Sequence, residues 1–274
     1  MCYSMNEETK KKFDTIRSKL MGKSVLVAFS GGVDSTVLSS IAKEVASKTV
    51  LLTVSSPTLP REELIGARNI SKEMGLDLIV KEFNWLAERE LAANPTDRCF
   101  KCKQVLAALW ISTAKELGLD IVVEGTTTSE VEGYRPGVKA LEESEVTSPF
   151  LEAKVTKEEI REFAREKGLS VAEKASMACL ATRFPYGTKI DHNLLKMVET
   201  VENAVKEIFR VECVRARYHG DLVRIEVGSN ELEMMFNPDK LRSLETIARE
   251  VGFTYITLDL RGYRTGAMDE GLIL

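Results

Sequence analysis

Ser30-Gly31-Gly32-Val33-Asp34-Ser35 lies between two patterned segments. Before it runs the apolar stretch Val25-Leu26-Val27-Ala28-Phe29. After it, Val37, Leu38, Ile41, Ala42 and Val45 recur at helical spacing. The order strand, glycine turn, helix points the unpaired N–H groups of a helix N-terminus at the bend, where anions bind. Gly31 and Gly32 let a ligand approach the backbone without a Cβ in the way. Ser30, Ser35 and Thr36 add hydroxyls. A carboxylate, Asp34, is at home beside a phosphate when Mg²⁺ bridges the two. The loop therefore suggests a Mg-nucleotide held by its phosphates, with a preference for pyrophosphate. An ordinary glycine-rich turn is the bland reading, and the strand–loop–helix context weighs against it. Gly22-Lys23-Ser24 imitates the end of a Walker A loop, but the position that needs its first glycine is Arg17 and the tripeptide precedes the strand.

Cysteine forms a second constellation. Cys99 and Cys102 make a CxxC after a proline-led loop, flanked by Arg98, Lys101 and Lys103. Positive neighbours and a helix start favour thiolates. One CxxC does not complete a zinc site, which takes four ligands. Cys179, in a long segment without periodicity (169–190), is the obvious third. Three thiolates without an evident fourth suit a 4Fe-4S cluster with one open iron. Reactive thiol or persulfide chemistry, a dithiol, a zinc site and plain buried cysteines stay open as alternatives. Cys213 falls on a strand and reads as core packing. A third constellation is Arg215 and Arg217, two apart on a strand and so on one face. Two guanidiniums there can clamp a phosphate. Glu226 lies on the paired strand, and on spacing alone a solvated hairpin face with cross-strand ion pairing, for example involving Arg224, is the stronger reading.

The elements that must position these residues alternate in the first half. Strand patterns fall at Ser24–Phe29, Thr49–Val54, Leu76–Phe83 and Leu119–Glu124. Helical patterns fall at Thr36–Ala46, Pro60–Met74, Trp85–Ala92 and Lys103–Leu117. Such alternation predicts a parallel sheet covered by helices on both faces, with ligands at the carboxyl ends of its strands. Ser30–Ser35, Ser55–Ser56 and Gly125–Thr128 gather on that rim. Thr156 to Glu159 reads as a capping box before a further helix. The last part reads as a helix, a hairpin turning at His219-Gly220-Asp221, a helix and a strand, which is a smaller α+β domain. The expected division is 1–186, including the cysteine loop, and 187–274.

Composition sets the bounds. The 274 residues can bury a full core, and the net charge of −4 argues against a nonspecific nucleic-acid binder. No apolar run reaches the roughly 18 residues of a membrane span. The first residues lack the apolar core of a secretory leader. A cytoplasmic protein is expected, with its five cysteines reduced, metal-bound or reactive.

The SGGVDS loop resembles the signature of the PP-loop ATP pyrophosphatases, an adenine nucleotide alpha hydrolase-like α/β fold. Further along stand Asp97 to Lys103, Glu124-Gly125-Thr126, Tyr134-Arg135-Pro136-Gly137, Ser148-Pro149-Phe150, Cys179 to Gly187, Arg215 to Gly220, Arg224 to Val227 and Leu258-Asp259-Leu260. In this order they resemble the LarE family, the ATP-dependent pyridinium-3,5-biscarboxylic acid mononucleotide sulfurtransferases. The resemblance covers nearly the whole chain and is most specific around Cys179. It implies adenylylation of a substrate carboxylate and replacement of an oxygen by sulfur, in two rounds, to give the precursor of a nickel-pincer nucleotide.

By position it implies that Ala28, Ser30, Gly31, Gly32, Asp34, Ser35, Ser55, Gly125 and Thr126 bind ATP, with Asp34 on Mg²⁺. Arg183, Arg215 and Arg217 would bind the substrate, and Glu226 would be a metal-binding carboxylate. Cys179 would deliver the sulfur. Cys99 and Cys102 resemble the cluster-bearing subgroup, in which three cysteines hold a 4Fe-4S cluster. The alternative is sacrificial use of the Cys179 sulfur. Glu130 and Glu132 stand where the family tends to have Asn and Asp. Expected partners are the mononucleotide and sulfide or another sulfur donor, with no nucleic acid, no membrane and a homo-oligomeric assembly. A tRNA thiolase would need a basic surface, and an amidotransferase would not need three cysteines.

Overall fold

A computed structural model describes residues 5–130, 136–174, 178–264 and 266–267. Along the chain run α1 (Glu7–Leu20), β1 (Ser24–Ala28), α2 (Val33–Val45), β2 (Lys48–Ser55), α3 (Arg61–Met74), β3 (Asp77–Glu82), α4 (Arg89–Ala92) and α5 (Arg98–Glu116). There follow β4 (Ile121–Val123), α6 (Pro136–Glu142), β5 (Val146–Thr147), α7 (Pro149–Glu152), α8 (Lys157–Glu166), α9 (His192–Phe209), β6 (Val214–His219), β7 (Leu222–Val227), α10 (Pro238–Glu250) and β8 (Tyr255–Leu258). The fold is α/β, in two compact units. One holds residues 1–56, 61–83 and 97–177; the other holds 57–60, 84–96 and 178–274.

The first unit is a five-stranded sheet in the order β3-β2-β1-β4-β5, with every pairing parallel. Strand β1 shows why both faces are covered. Val25 and Val27 enter a core with Phe13 and Ile16 of α1, Val37 and Ile41 of α2, and Ile160 and Phe163 of α8. Leu26 points the other way, into a core with Trp110 and Ala114 of α5. Successive strand residues face opposite sides, so an unbroken apolar run fills both layers. The order reverses between β1 and β4, and at such a switch point the loops after the two strands open a crevice for ligand.

Two helices of the first unit begin earlier than periodicity predicts. Helix α2 starts at Val33 rather than Thr36, so Asp34 and Ser35 lie in its first turn. Helix α5 starts at Arg98 rather than Lys103, which puts Cys99 in its first turn and Cys102 at the start of the next. Apolar periodicity marks where a helix is buried, and polar first turns lie outside that signal. The pattern at 85–92 resolves into a 3-10 turn (Trp85–Ala87) and the single turn α4. Thr156 caps α8 as predicted: it accepts from the Glu159 N–H, while Glu159 returns to the Thr156 N–H.

The second unit has the αββαβ order read from the sequence. Its three-stranded sheet pairs β6 with β7 antiparallel and β7 with β8 parallel. Asn94, at φ 55°, bonds the Pro185 carbonyl through its side chain at 2.8 Å, and its own carbonyl accepts from the Gly187 N–H at 2.8 Å. The 84–96 segment is thus tied to the loop that follows Arg183. Among the described residues, no helix is long and apolar enough to cross a membrane.

Candidate functional site

In the first unit, Ser30–Ser35 occupies the crevice after β1. Gly31 has φ +70°, and a Cβ there would lie 2.8 Å from Ala67 Cα of α3, so only glycine fits. The two serines shape the loop. Ser35 Oγ accepts from the Ser30 N–H at 3.3 Å and donates to the Gly32 carbonyl at 3.2 Å. Ser30 Oγ lies 3.1 Å from Ser35 Oγ and accepts from the Gly32 N–H at 3.3 Å. Lys174 Nζ holds the Gly31 carbonyl at 3.1 Å while pairing with Glu63, also at 3.1 Å.

Asp34 has one oxygen on the Lys157 ammonium. Its other oxygen, Oδ1, is buried with no hydrogen-bond partner among the described residues, as is Thr36 Oγ1. A carboxylate with an unsatisfied buried oxygen is a donor set that suits a hard divalent cation. The residues present therefore fit a Mg-nucleotide at this loop.

The loop after β4 packs against the same helix start. A Cβ on Gly125 would lie 3.1 Å from Asp34 Cβ and 3.2 Å from the Ser35 nitrogen. Gly125 thus lets β4 run under α2. Glu124, which the motif contains but which carried no assigned role, is buried and organises this turn. It accepts from the Thr126 N–H at 3.0 Å, from the Thr126 hydroxyl at 2.7 Å, and from Ser148. The Thr126 hydroxyl is therefore turned onto Glu124. Ala28 ends β1, and Ser55, half-buried, ends β2 with its carbonyl on the Phe83 N–H at 2.8 Å. Glu132, Tyr134 and Arg135 lie outside the described residues. Cys99 is exposed and Cys102 half-buried, one helical turn apart on α5. Arg98 Nη2 approaches Cys99 Sγ at 3.7 Å. Two thiols on one face, with a guanidinium beside one of them, fit as two ligands of a thiolate-bound group.

The second unit holds Cys179 and the arginines. Exposed Cys179 precedes a 3-10 turn, Leu180–Arg183. Its carbonyl accepts from the Thr182 N–H at 3.0 Å and hydroxyl at 2.8 Å, and the next N–H, of Leu180, reaches Thr58 at 2.9 Å. Arg183 is wholly buried. It meets Glu202 of α9 with Nε at 2.6 Å and Nη2 at 3.0 Å, and its Nη1 reaches the Ala178 carbonyl at 3.1 Å. Glu202 also accepts from the Ala216 N–H of β6 at 2.9 Å.

Arg215 and Arg217 share a face, and that face is buried rather than solvated: they are 1% and 4% exposed. Arg217 bonds Glu226 through Nε at 3.0 Å and Nη2 at 2.8 Å, and bonds the Thr182 carbonyl at 3.0 Å. The other Glu226 oxygen takes Arg224 at 3.1 Å. Both oxygens of Glu226, the expected metal carboxylate, are thus engaged by guanidiniums. Arg215 lies over the Tyr263 ring at 4.8 Å. Burial and the adjacent Arg183 push its guanidinium below the ordinary value. Arg183, Arg215, Arg217 and Arg224 are thus gathered with Glu202, Glu226 and Asp259 in this unit. Burial pushes the Cys213 thiol up, in keeping with an inert packing cysteine. Among the described residues, no three or more His, Cys, Asp or Glu side chains are gathered to hold a metal ion.

A five-stranded parallel sheet with an SGGVDS loop at its switch point defines the PP-loop class of α/β proteins. No protein-family model matches the chain. It is 33% identical over 248 residues to an uncharacterized Synechocystis protein, covering 90% of this chain and 92% of that one. It is 31% identical over 252 residues to the pyridinium-3,5-bisthiocarboxylic acid mononucleotide synthase of Lactiplantibacillus plantarum, covering 90% of each. A tRNA-specific 2-thiouridylase of Beijerinckia indica is 27% identical over 189 residues, 55% of this chain and 44% of that one. The chain belongs to the LarE family, that of the mononucleotide synthase.

Proposed function

We propose that the chain is an ATP-dependent sulfurtransferase that converts pyridinium-3,5-biscarboxylic acid mononucleotide to its bis-thiocarboxylic acid, the precursor of a nickel-pincer nucleotide. The observation that carries the reading is the match over 90% of both chains with a synthase named for that product. The thiouridylase match spans 55% of this chain, and the net charge of −4 gives no general attraction to tRNA.

A carboxylate is a poor electrophile because oxide would have to leave. A carboxylate oxygen therefore attacks the α-phosphorus of ATP, and pyrophosphate departs with the electron pair of the broken P–O bond. A sulfur nucleophile then adds to the acyl carbon, and AMP leaves with the C–O electrons. Ser30, Gly31, Gly32, Asp34 and Ser35 would hold the polyphosphate and Mg²⁺, with Ala28, Ser55, Gly125 and Thr126 on the rim. Arg215 and Arg217 would receive the substrate phosphate, a reading that their shared, buried face supports. Arg183 and Glu226 hold the surrounding residues in place. Cys179 stands exposed to deliver sulfur.

Cys99, Cys102 and Cys179 would be the ligands of a 4Fe-4S cluster, which when bound supplies renewable sulfide. Sacrificial loss of the Cys179 sulfur is the competing route. Residues 1–186 would serve activation and sulfur delivery, and 187–274 substrate phosphate and assembly into a homo-oligomer, in the cytoplasm. The test is pyrophosphate release on adding ATP and the mononucleotide to anaerobic, iron-reconstituted protein. No release overturns the reading. Intact mass after one turnover separates the routes: loss of one H₂S at Cys179 marks the sacrificial one, and an unchanged mass with about four irons per chain marks the cluster.

A further inference from the structure

Asp34 is the only acid of the SGGVDS loop, and it meets a cation already. Lys157, the first residue of α8, places its ammonium on Asp34 Oδ2, while Oδ1 is buried and without a partner among the described residues. The Lys157 side chain is 30% exposed, so it has room to move. Its backbone is fixed independently. The Lys157 N–H donates to Ser129 Oγ at 3.2 Å, and the Thr156–Glu159 capping box holds the helix start without using the Lys157 side chain. Lys174, the other lysine at this loop, is committed to the Gly31 carbonyl and Glu63.

Two cations therefore have a claim on one carboxylate. With neither present, Asp34 would repel a polyphosphate. Once Mg²⁺ neutralises Asp34, the ammonium is surplus there and stands beside a tetra-anion. We infer that Lys157 is a movable counter-charge: it neutralises Asp34 in the absence of metal and passes to the polyphosphate when Mg²⁺ takes the carboxylate. The inference deepens the nucleotide reading and rests on it. It makes Lys157 a positioning residue that governs how far ATP binding depends on Mg²⁺.

The test is calorimetric titration of the full chain with ATP, in Mg²⁺ and in EDTA. Wild type should bind ATP in both. Lys157→Met should lose about tenfold or more in EDTA and markedly less in Mg²⁺. Adding Asp34→Asn to Lys157→Met should recover binding in EDTA, because the uncompensated charge is gone. Lys157→Arg should keep the wild-type ratio. Equal losses with and without Mg²⁺, no loss in EDTA, or no recovery in the double variant would each overturn the inference while leaving the nucleotide site intact. A wild-type protein that binds no ATP in either buffer would overturn the nucleotide reading itself, and the inference with it.

Discussion

Arg183 and Glu202 form a two-point ion pair, 2.6 and 3.0 Å, with neither side chain more than 3% exposed. The same guanidinium holds the Ala178 carbonyl, and the same carboxylate holds the Ala216 N–H. The turn that carries Cys179 is thereby fixed to α9 and β6. Removing one partner of a buried pair leaves the other charge uncompensated, at a cost of about 3–5 kcal/mol. Arg183→Met and Glu202→Leu should each lower stability by that amount in urea titrations. The double variant should lose less than the sum of the two. Additive losses would show that the pair is not a unit.

Cys179 is different, since its carbonyl is anchored but its thiol is exposed. Cys179→Ala should leave stability within about 0.5 kcal/mol of wild type. It should still release pyrophosphate from ATP and the mononucleotide, yet form no thiocarboxylate by mass spectrometry. Thiocarboxylate from that variant would remove Cys179 from the chemistry.

Arg215 and Arg217 should separate, although the sequence presents them as equals. Arg217 is bound into Glu226 and the Thr182 carbonyl, whereas Arg215 lies over Tyr263. Arg217→Gln should destabilise the protein by about 2–5 kcal/mol, because Glu226 loses a partner in the interior. Arg215→Gln should act mainly on the KM for the mononucleotide, leaving the KM for ATP unchanged. Equal effects on both KM values would argue against a substrate-phosphate role for Arg215.

Four strands of the sheet, the glycine loop and the small αββαβ domain are readable, because each has a local signature: apolar runs of strand length, a strand–glycine–helix junction, a hairpin turn; the two-residue β5 is too short to leave one. Lys157 and Glu124 were in plain view inside motifs, but their partners are 123 and 24 residues away, Asp34 and Ser148. No spacing rule reaches that far. Burial of the Arg215–Arg217 face was missed for the same reason. Two arginines on a strand read as solvated until Glu202 and Glu226 are seen to be buried with them.

Gly31 tests the close approach of the loop to α3. At φ +70° a side chain is strained by about 1–2 kcal/mol, and its Cβ would meet Ala67 Cα at 2.8 Å. Gly31→Ala should therefore lower stability and weaken ATP binding together. Gly22→Ala, at φ +71° with nothing within 4 Å, should show the strain alone and leave ATP affinity unchanged. Weakened ATP binding by both variants would mean that strain, not the contact with α3, sets the loop.

Asp259 should contribute to the acid limit of the protein. Burial works to raise its carboxyl, but the Arg261 N–H and the Arg264 and Arg224 guanidiniums outweigh burial and hold it below the ordinary value. A carboxyl lowered by folding adds stability that is fully present above its unfolded pKa, about 3.9, and is lost as pH falls through the folded value. Urea titrations from pH 6 down to pH 3 should show stability falling below about pH 4. Asp259→Asn should be less stable at pH 6, because Arg264 at 3.3 Å and Arg224 at 3.6 Å lose their counter-charge. Its decline below pH 4 should be shallower, so the two curves converge at low pH. Parallel curves would assign the acid limit to other carboxylates.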